Sequence, residues 1–388
     1  MSRPLAVIIG AGVAGMSAAW WLGRSGWRSI VVERAEDLRD GGYMMGISGP
    51  GYETAGRMGL IPPLEKVSYA INENVYRDRR GRELLRLRYR DFLKDLPYLA
   101  LRRNDLIRVL RDALDENTEL KFGCTVETIR TEGDRAVVGL SDRSTIDCDL
   151  VIGADGFRSA SRRLVFGEDE NVLEHLGYRF AVFDVDDNIK LEADFLSFAE
   201  PGHLAEYYAL NGGRLAAMHV WRDREATAPP RVEDRWSMLE RVSATSHPMV
   251  RQFLKDGAAG DPPTIDSLTM VNLPTWHKGR FVLLGDAAHC LTLVSGQGAG
   301  MAMASSEVLA QELAAAQTVP EALAAHDRRL RPAITRLQQR SRRMAAIFIP
   351  ESSFAFHARN FTLRHMPRAW LGKYFANSIR SEIDLVST

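Results

Sequence analysis

The sequence has few cysteines, no excess of either charge and no long apolar run. Its three cysteines are an odd number without the spacing of a disulfide framework or a zinc site. Fifty basic and fifty acidic residues give a formal net charge of zero, so no overall field favours nucleic acid. No apolar stretch reaches the roughly 20 residues that a membrane-spanning helix needs. We therefore expect a cytoplasmic protein, taken as a monomer, without a metal site and without a nucleic-acid or membrane partner.

The remaining composition is that of an ordinary globular protein. Hydrophobic residues make up 45% and charged residues 26% of the 388 residues, which is enough apolar material for more than one core. A chain of this length argues for two intertwined domains. No internal repeat or long low-complexity linker interrupts it.

The first informative motif is a glycine-rich turn near the N-terminus. Leu5 to Ile9 is an apolar run of strand length, and G-A-G-V-A-G follows it directly from Gly10 to Gly15. A helical pattern comes next, and then a second apolar strand that ends in Glu33. Strand, glycine turn, helix, strand and acid together form the dinucleotide-binding unit. A secretory signal starting at Arg3 is the alternative, and the interrupting glycines and the acid in register argue against it.

Each residue of the turn has a physical role in this unit. Gly10 permits the sharp turn, Gly12 lets the backbone approach a pyrophosphate, and Gly15 lets the helix pack close to the strand. The helix begins near Val13 and Ala14, where free N–H groups and a partial positive charge face the phosphates. The turn therefore predicts a bound dinucleotide.

The acid after the second strand indicates which dinucleotide is bound. Glu33 follows Gly10 at about the 20-residue offset at which a carboxylate accepts hydrogen bonds from a ribose, and Arg34 lies beside it. A carboxylate disfavours a 2′-phosphate on that ribose. The site therefore suits FAD or NAD better than NADP.

The second motif, G-A-D-G, also follows a buried strand. Asp155 and Gly156 come directly after the apolar run that ends at Gly153, and Ser159 and Arg162 lie just beyond. Ligands of α/β proteins bind at the carboxyl ends of parallel strands, so these residues are candidates for the same site. An Asx turn or helix cap explains the motif alone equally well.

The third motif, G-D-A-A-H, follows a third apolar strand, Phe281 to Leu284. Gly285 and Asp286 begin it, and a glycine-rich stretch that contains Gly296, Gln297 and Gly298 then leads into a helix. The N-terminus of that helix would stabilise negative charge on a reduced cofactor such as a flavin. An ordinary strand–loop–helix connection is the alternative.

The chain changes character between Tyr178 and Met270. Alternating apolar and polar residues there predict an antiparallel sheet inserted into the nucleotide-binding domain. The sequence also predicts a hairpin that turns at Asp142-Arg143. It predicts one helix at Thr54 to Leu60 and another that follows an Asn104 cap. The predicted boundaries are 1–74, 98–177 and 271–340 for the three nucleotide-binding segments, 75–97 for a hairpin joining the substrate domain, 178–270 for the substrate domain, and 341–388 for C-terminal helices.

Together these motifs resemble the group A flavoprotein aromatic hydroxylases, the family of para-hydroxybenzoate hydroxylase, over about the first 315 residues. The resemblance implies an α/β fold: a Rossmann-like FAD-binding domain of the glutathione-reductase type, an inserted antiparallel β-sheet substrate domain and C-terminal helices. It implies that the ADP half of FAD is held by Gly10, Gly12, Gly15 and Glu33.

The resemblance also assigns roles to the other motifs. Arg103, in an R-x-x-L setting with Leu106, would contact the phosphate or ribityl region of FAD. Asp286 would bind the ribityl chain. The isoalloxazine would be lined by Gly296, Gln297 and Gly298, and a motif tied to both FAD and NAD(P)H comprises Asp155, Gly156, Ser159 and Arg162.

Within this family the chain is similar to bacterial members near the tetracycline-inactivating and polyketide-tailoring monooxygenases of secondary metabolism. The G-G-Y that starts at Gly41, the length and the single inserted sheet suggest this placement. Two positions depart from the family pattern beside the flavin's reactive edge. Leu293 stands where proline is usual, and Gly300 stands where asparagine is frequent.

The resemblance implies a chemistry in which NADPH or NADH is a transient reductant. Reduced FAD would take up O2 at its C4a carbon, and the resulting hydroperoxide would hydroxylate an aromatic or polyketide-like small molecule. A Baeyer–Villiger outcome on the same scaffold, and a reductase or dehydrogenase without oxygen insertion, stay open. A halogenase is disfavoured because W-x-W-x-I-P is absent, and a nucleotide-binding module without chemistry is the non-enzymatic alternative.

No catalytic acid or base is assigned from the sequence. The inserted sheet carries no motif, so its polar and aromatic residues are candidates either for lining a substrate pocket or for core packing: His203, Tyr207, Tyr208, His219 and Trp221. Cys290 is expected to be a packing residue because no base is spaced to activate it.

Overall fold

The computed structural model describes residues 3–38, 42–89, 97–168, 172–225, 227–293 and 296–365. Gly41 and the part of the predicted C-terminal helices from residue 366 onward lie outside these ranges. Among the described helices, none is long and apolar enough to cross a membrane. Within the same ranges, no group of three or more His, Cys, Asp or Glu side chains is placed to hold a metal ion.

The strands are spread over most of the chain. In order they are β1 Leu5–Ile9, β2 Arg28–Val32, β3 Met44–Ser48, β4 Glu73–Arg77, β5 Glu83–Arg88, β6 Tyr98–Arg102, β7 Thr118–Lys121, β8 Val126–Glu132, β9 Arg135–Leu140, β10 Thr145–Cys148, β11 Leu150–Gly153, β12 Leu173–Asp186, β13 Phe195–Glu200, β14 His203–Leu210, β15 Arg214–Arg222, β16 Thr264–Val271, β17 His277–Lys278 and β18 Phe281–Leu283.

The helices alternate with the strands in the first part of the chain and close its end. They are α1 Val13–Arg24, α2 Gly49–Arg57, α3 Ile61–Val67, α4 Arg103–Asp112, α5 Ala160–Phe166, α6 Arg235–Val242, α7 Pro248–Gly257, α8 Asp286–His289, α9 Gly298–Ala315, α10 Val319–Phe348 and α11 Ser353–His365.

A six-stranded sheet in the order β17-β18-β11-β1-β2-β7 forms the centre of the nucleotide-binding part. Strands β18, β11, β1, β2 and β7 are parallel, and β17 is antiparallel at the edge. The central strands are apolar on both faces because both faces are covered, as Val7 and Ile8 show with no exposed surface. The carboxyl ends of β1, β11 and β18 therefore lie side by side.

Helix α9 ties this sheet to the first helices of the chain. Its residues from Gly300 to Ala310 are buried, and the Ser306 hydroxyl donates to the carbonyl oxygen of Ala14 at 3.1 Å. On its other side α9 meets α2, where the buried Glu307 carboxylate accepts a hydrogen bond from Thr54 at 2.6 Å and pairs with Arg57. These contacts fix the start of α9 beside the sheet edge.

A seven-stranded sheet in the order β16-β12-β15-β14-β13-β4-β5 makes up the second layer. Its pairs are antiparallel except β13 with β4, which run parallel. Helices α6 and α7 cover one face, called the outer face here. The opposite, inner face meets the β3–β6 pair and the end of α10 with α11. The predicted α/β fold with an inserted antiparallel sheet and C-terminal helices is confirmed.

Three local predictions can be compared with the structure. The hairpin at Asp142-Arg143 is present, with Arg143 in the left-handed conformation at φ 68°. The helix predicted at Thr54 to Leu60 is present with other bounds: α2 begins earlier, at Gly49, and ends at Arg57, before Gly59 with its φ of +73°. The Asn104 cap is wrong, since α4 starts one residue earlier and Arg102 takes the cap position.

Candidate cofactor and substrate site

The three glycine-containing motifs meet at one edge of the parallel sheet. G-A-G-V-A-G follows β1, G-A-D-G ends β11 and G-D-A-A-H follows β18, and these three strands are neighbours. Gly10 has φ +105°, and a Cβ there would lie 2.6 Å from the carbonyl oxygen of Ala154. Gly285 has φ +58°, and its Cβ would lie 2.9 Å from that of Ala14. Glycine is therefore required where the first turn meets each of the other two.

The first turn forms a cradle at the start of α1. A Cβ on Gly15 would overlap the carbonyl oxygen of Gly10, so helix and turn pack backbone against backbone. Gly12 takes the cap position with an extended backbone and has no side chain to cap the first N–H groups, those of Val13 and Ala14. This arrangement leaves room and donors for a phosphate-bearing group.

Glu33 lies directly beside this turn. One carboxylate oxygen accepts a hydrogen bond from the N–H of Ala11 at 2.9 Å, and the other accepts from the N–H of Ala35 at 3.0 Å. Both bonds orient the partly exposed carboxylate at the carboxyl end of β2. Arg34 is exposed next to it. The predicted ribose acceptor is therefore in the position that the dinucleotide-binding unit requires.

The G-A-D-G loop is held by its own hydrogen bonds. The Asp155 carboxylate accepts from the hydroxyls of Ser159 at 2.5 Å and Ser161 at 2.9 Å, and Ser159 Oγ caps α5 by accepting from the N–H of Arg162 at 2.9 Å. Gly156 has φ +85° and open space around it. The loop is therefore rigid before any ligand binds.

Arg162 has a structural position that the sequence did not indicate. Its side chain has no exposed surface, and it donates to the carbonyl oxygens of Ala287 at 2.9 Å and Phe157 at 2.7 Å. The guanidinium thus joins the second motif to the third. This geometry does not support the expectation that Arg162 touches a nucleotide, because the buried guanidinium donates its hydrogen bonds to backbone carbonyl oxygens.

Asp286, Arg103 and Tyr43 form the floor of a cleft between the motifs. The Asp286 carboxylate is accessible to water although protein surrounds it, and burial raises its pKa while the nearby Arg103 guanidinium opposes the rise. Arg103 Nη2 reaches to within 3.4 Å of where a Cβ on Gly12 would stand. Burial raises the pKa of the Tyr43 hydroxyl, which is influenced by both charges. Tyr43 is the tyrosine of the G-G-Y string that starts at Gly41, but sequence reasoning assigned it no role in the site.

The start of α9 closes the far side of this cleft. A Cβ on Gly298 would lie 3.8 Å from Asp286 Oδ1, and Gly296 has φ +64° with nothing within 4 Å. The Gln297 amide reaches Ser48 Oγ at 3.5 Å. The uncapped N-terminus of an 18-residue helix therefore points toward the same space as Asp286.

The two departures from the family pattern have packing explanations. A Cβ on Gly300 would lie 3.3 Å from Gly51 Cα, so α9 approaches α2 more closely than a larger residue allows. Leu293 packs against the apolar cluster of the large sheet that includes Val220 and Leu268. Cys290 is buried, and burial together with the Asp286 carboxylate raises its pKa, so the sulfur stays a thiol as expected for a packing residue.

The inner face of the large sheet borders the cleft. Tyr43 precedes β3, and the next residue, Met44, packs with Ala216 and Tyr208 of that face. Tyr208 is partly exposed, and so are Tyr76 and Met218, whereas the outer face is buried. The inner face is therefore the wall against which a substrate could lie beside the cofactor cleft.

Most of the pocket-lining candidates lie on the other face. Residues alternate along a strand, so the outer face carries the odd-numbered residues of β14 and β15, namely His203, Tyr207, His219 and Trp221. Of the two roles left open for them, pocket lining or core packing, the structure shows core packing, beneath α6 and α7. Only Tyr208 of the five faces inward. Burial lowers the pKa of His203 to about 4.

Comparison with known proteins agrees with this geometry. The family model for an FAD binding domain matches residues 5–341. An uncharacterized protein of Mycobacterium tuberculosis is 32% identical over 319 residues, which are 80% of this chain and 85% of the relative. A flavin-dependent monooxygenase of Legionella longbeachae is 27% identical over 81% of each chain. A 3-hydroxybenzoate 6-hydroxylase of Aquipseudomonas alcaligenes is 28% identical over 91% of this chain and 90% of its own.

Among solved structures the fold recurs in tetracycline destructase Tet(55). The TM-score is 0.83 at 23% sequence identity, and the match covers 96% of each chain. At this identity the likeness concerns the fold. Since the family model spans most of the sequence, and the relatives include flavin-dependent monooxygenases, the chain belongs to the FAD-binding family of group A flavoprotein monooxygenases.

Proposed function

We propose that this FAD-dependent monooxygenase uses NADPH or NADH as a transient reductant and inserts one oxygen atom from O2 into an aromatic or polyketide-like small molecule. The observation that carries the proposal is the meeting of three motifs from distant parts of the sequence around one cleft, beside a partly exposed sheet face. The relative named for 3-hydroxybenzoate and the fold neighbour named for tetracycline support ring-shaped substrates.

The residues present fit FAD. A Cβ at Gly10 or Gly15 would fill the turn, the first N–H groups of α1 are uncapped, and Glu33 is oriented for a ribose. We therefore assign the adenine half of FAD to this end. The remaining length of the cofactor would extend past Arg103 and Asp286 to the start of α9.

FAD, when bound, supplies the redox and oxygen chemistry. The protein supplies the side chains and the helix N-terminus that hold the cofactor and stabilise its charges. Arg103 would balance phosphate charge, Asp286 would accept hydrogen bonds from hydroxyls of the cofactor, and the α9 N-terminus at Gly298 would favour negative charge on its ring. Leu293 and Met218 keep the neighbouring wall apolar, which excludes water from the reacting region.

The reductant has no separate binding domain among the described residues. A second glycine-turn unit is not found in the part of the chain that the structure describes. We therefore propose that NAD(P)H binds transiently at the cleft. Asp155, Gly156 and Ser159 act in this scheme by holding the loop beside the cofactor, and Arg162 acts by joining that loop to the third motif.

The test measures whether an oxygen atom from O2 is incorporated into a product. The FAD-loaded protein is mixed with NADPH or NADH under ¹⁸O2, with 3-hydroxybenzoate and tetracycline as the first probes, and products are weighed by mass spectrometry. One ¹⁸O atom in a product, at the cost of one reduced nucleotide, is expected. Reduction of a probe without any ¹⁸O would favour a reductase and contradict the proposal. The position of the label separates ring hydroxylation from a Baeyer–Villiger insertion.

A further inference from the structure

A buried polar cluster on the inner face has no role in the cofactor site. It consists of Asn74 on β4, Ser197 on β13 and Glu206 on β14, which are neighbouring strands. Asn74 and Ser197 have no exposed surface, and Glu206 is 4% exposed. Three polar side chains at the centre of an otherwise apolar wall are costly unless they are bonded or used.

The Ser197 hydrogen bonds favour a protonated Glu206. Ser197 Oγ lies 3.0 Å from Asn74 Oδ1 and 3.4 Å from Glu206 Oε1, but a hydroxyl has one proton and cannot donate to both. A protonated Glu206 resolves the conflict, because its O–H donates to Ser197, which then donates to Asn74. Consistently, burial raises the pKa of Glu206 to about 8, against a smaller opposing effect of Ser197.

The cluster has unused hydrogen-bonding capacity. The Asn74 amide nitrogen is buried and finds no acceptor within the described residues. Within the same residues Glu206 forms no ion pair, although buried carboxylates normally have a cation beside them. Arg359 of α11 is near, but it acts on Tyr76, lies over the Phe356 ring and donates to Asn360. Among the residues that the structure describes, none supplies the cation that a buried carboxylate requires.

Aromatic rings surround the cluster. Tyr208 stacks on Phe195 with ring centroids 3.8 Å apart, and both lie on the inner face. Tyr76, Tyr89 and Tyr208 are close enough to one another and to Glu206 to influence each other's charge, and burial raises the pKa of all three hydroxyls. They stay neutral at physiological pH. Neutral aromatic rings around a single carboxyl are the composition of sites that bind organic ammonium ions.

We propose that Glu206, with Asn74 and the surrounding tyrosines, binds a protonated amine of the substrate and so selects aromatic or polyketide-like molecules that carry a basic nitrogen. This proposal rests on the proposed function, since it concerns the substrate of the same site. Glu206 gives up its proton as the ammonium binds, and Ser197 turns its hydroxyl toward the new carboxylate. The Asn74 N–H group, which has no acceptor among the described residues, bonds an acceptor on the same substrate, and the Asn74 carbonyl oxygen becomes open to a donor.

The test compares two probes that differ in one group. Tyramine ends in an ammonium and tyrosol in a hydroxyl, and both are phenols. Binding to the FAD-loaded protein at pH 7 is measured by calorimetry in two buffers of different ionisation enthalpy. We expect tyramine to bind about tenfold tighter or better, because a charged hydrogen bond is involved, and to release about one proton per site.

Two matched variants test whether Glu206, and not another carboxylate of the sheet, causes the preference for tyramine. Glu206→Gln should abolish both the preference for tyramine and the proton release. Glu200→Gln changes a carboxylate beside His203 on the outer face and should leave both unchanged. Equal binding of the two probes, no binding of either up to about 10 mM, no proton release, or a preference that survives in Glu206→Gln would each overturn the proposal. The proton-release result needs no variant, so a Glu206→Gln protein that fails to fold does not remove the test.

Failure of this proposal can be told apart from failure of the proposed function. The same preparation is first examined for flavin absorbance and for bleaching by NADPH. A protein that passes this examination and shows no preference for tyramine refutes the amine site alone. A protein without flavin refutes the function on which the amine site rests.

Discussion

At the scale of single residues, the identity of the site follows from positions where a side chain has no room. Gly10 and Gly15 are fixed by close backbone contacts and Gly285 by the Cβ of Ala14, and a Cβ at any of the three would overlap its neighbour. Gly12 differs, since a Cβ there would meet only the end of the Arg103 side chain at 3.4 Å. A side chain at Gly12 should therefore weaken cofactor binding without disturbing the fold, whereas a side chain at Gly15 should disturb the fold itself.

The variants Gly12→Ala and Gly15→Ala test this difference. Gly12→Ala should keep the thermal stability of the cofactor-free protein within about 2 °C, because Arg103 can move. It should weaken FAD binding by about tenfold or more, because the methyl group occupies the approach of the pyrophosphate. Gly15→Ala should unfold at markedly lower temperature even without FAD. Equal loss of stability in both variants would contradict the account.

Glu206 makes a prediction about pH that requires no ligand. Its pKa is raised from 4.5 to about 8 in the folded protein, so the folded state holds this proton more tightly than the unfolded chain does. Stability relative to Glu206→Gln should therefore fall as pH rises from about 4.5 to about 8, and level off above that. Arg359 and the hydroxyls of Tyr76 and Tyr208 keep their charge states across this window. Melting temperatures of the two proteins between pH 5 and pH 9 measure the difference, and a constant difference would show that Glu206 does not titrate there.

At the scale of elements, the contact between α2 and α9 positions the helix N-terminus at the cleft. A Cβ on Gly51 would overlap Gly300 Cα, whereas a Cβ on Gly56, also in α2, meets nothing within 4 Å. Gly51→Ala should therefore cost about 1–3 kcal/mol of unfolding free energy through overpacking. Gly56→Ala, the matched control, should be neutral or stabilising by about 0.5–1 kcal/mol. Chemical denaturation measures both values, and a Gly51→Ala protein as stable as the control would show that the helices are not held in close contact.

The elements also show what the sequence could predict. The parallel strands β1, β11 and β18 were predictable because each is a short apolar run with a glycine at or just beyond its end, as at Leu5–Ile9 and Phe281–Leu283. The end of α2 at Arg57 was missed because it depends on the left-handed conformation of Gly59. The face of each strand in the large sheet was also missed, since β14 has buried residues on both sides and its sequence shows no clean alternation.

The site residues also divide into those that the sequence could predict and those that it could not. Gly10, Gly12, Gly15, Glu33 and Asp286 stand in motifs whose spacing carries their role. Asn74 and Glu206 belong to no motif, and the G-G-Y string that contains Tyr43 carries no spacing that assigns Tyr43 a role. These three residues come together only through the pairing of β4 with β13 and β13 with β14, and through the packing of β3 on the inner face, which are contacts between distant parts of the chain.

At the scale of the whole molecule, the buried histidines make the fold sensitive to acid. Burial lowers the pKa of His289 to about 3 and the pKa values of His203 and His326 to about 4, and it lowers that of His219 well below its usual range. The unfolded chain binds these protons near pH 6.5, so stability is present above that pH and is lost as pH falls toward 4.

This acid sensitivity can be measured with one buried and one exposed variant. The melting temperature of the wild-type protein should fall steeply between about pH 6.5 and pH 4. His326→Asn should make the fall shallower, because one buried imidazole no longer resists protonation. His365→Asn, at an exposed position on α11, should leave the slope unchanged. An unchanged slope in His326→Asn would contradict the assigned role of burial.

At this scale we infer that three motifs, spread from Gly10 to Gly298, build a single FAD site. The absorption spectrum of the purified protein tests this most directly, recorded before and after NADPH is added without air and again after air is admitted. Bound flavin that bleaches with NADPH and recovers with oxygen is the predicted result. A protein that shows no flavin bands, even after incubation with FAD, would contradict the claim.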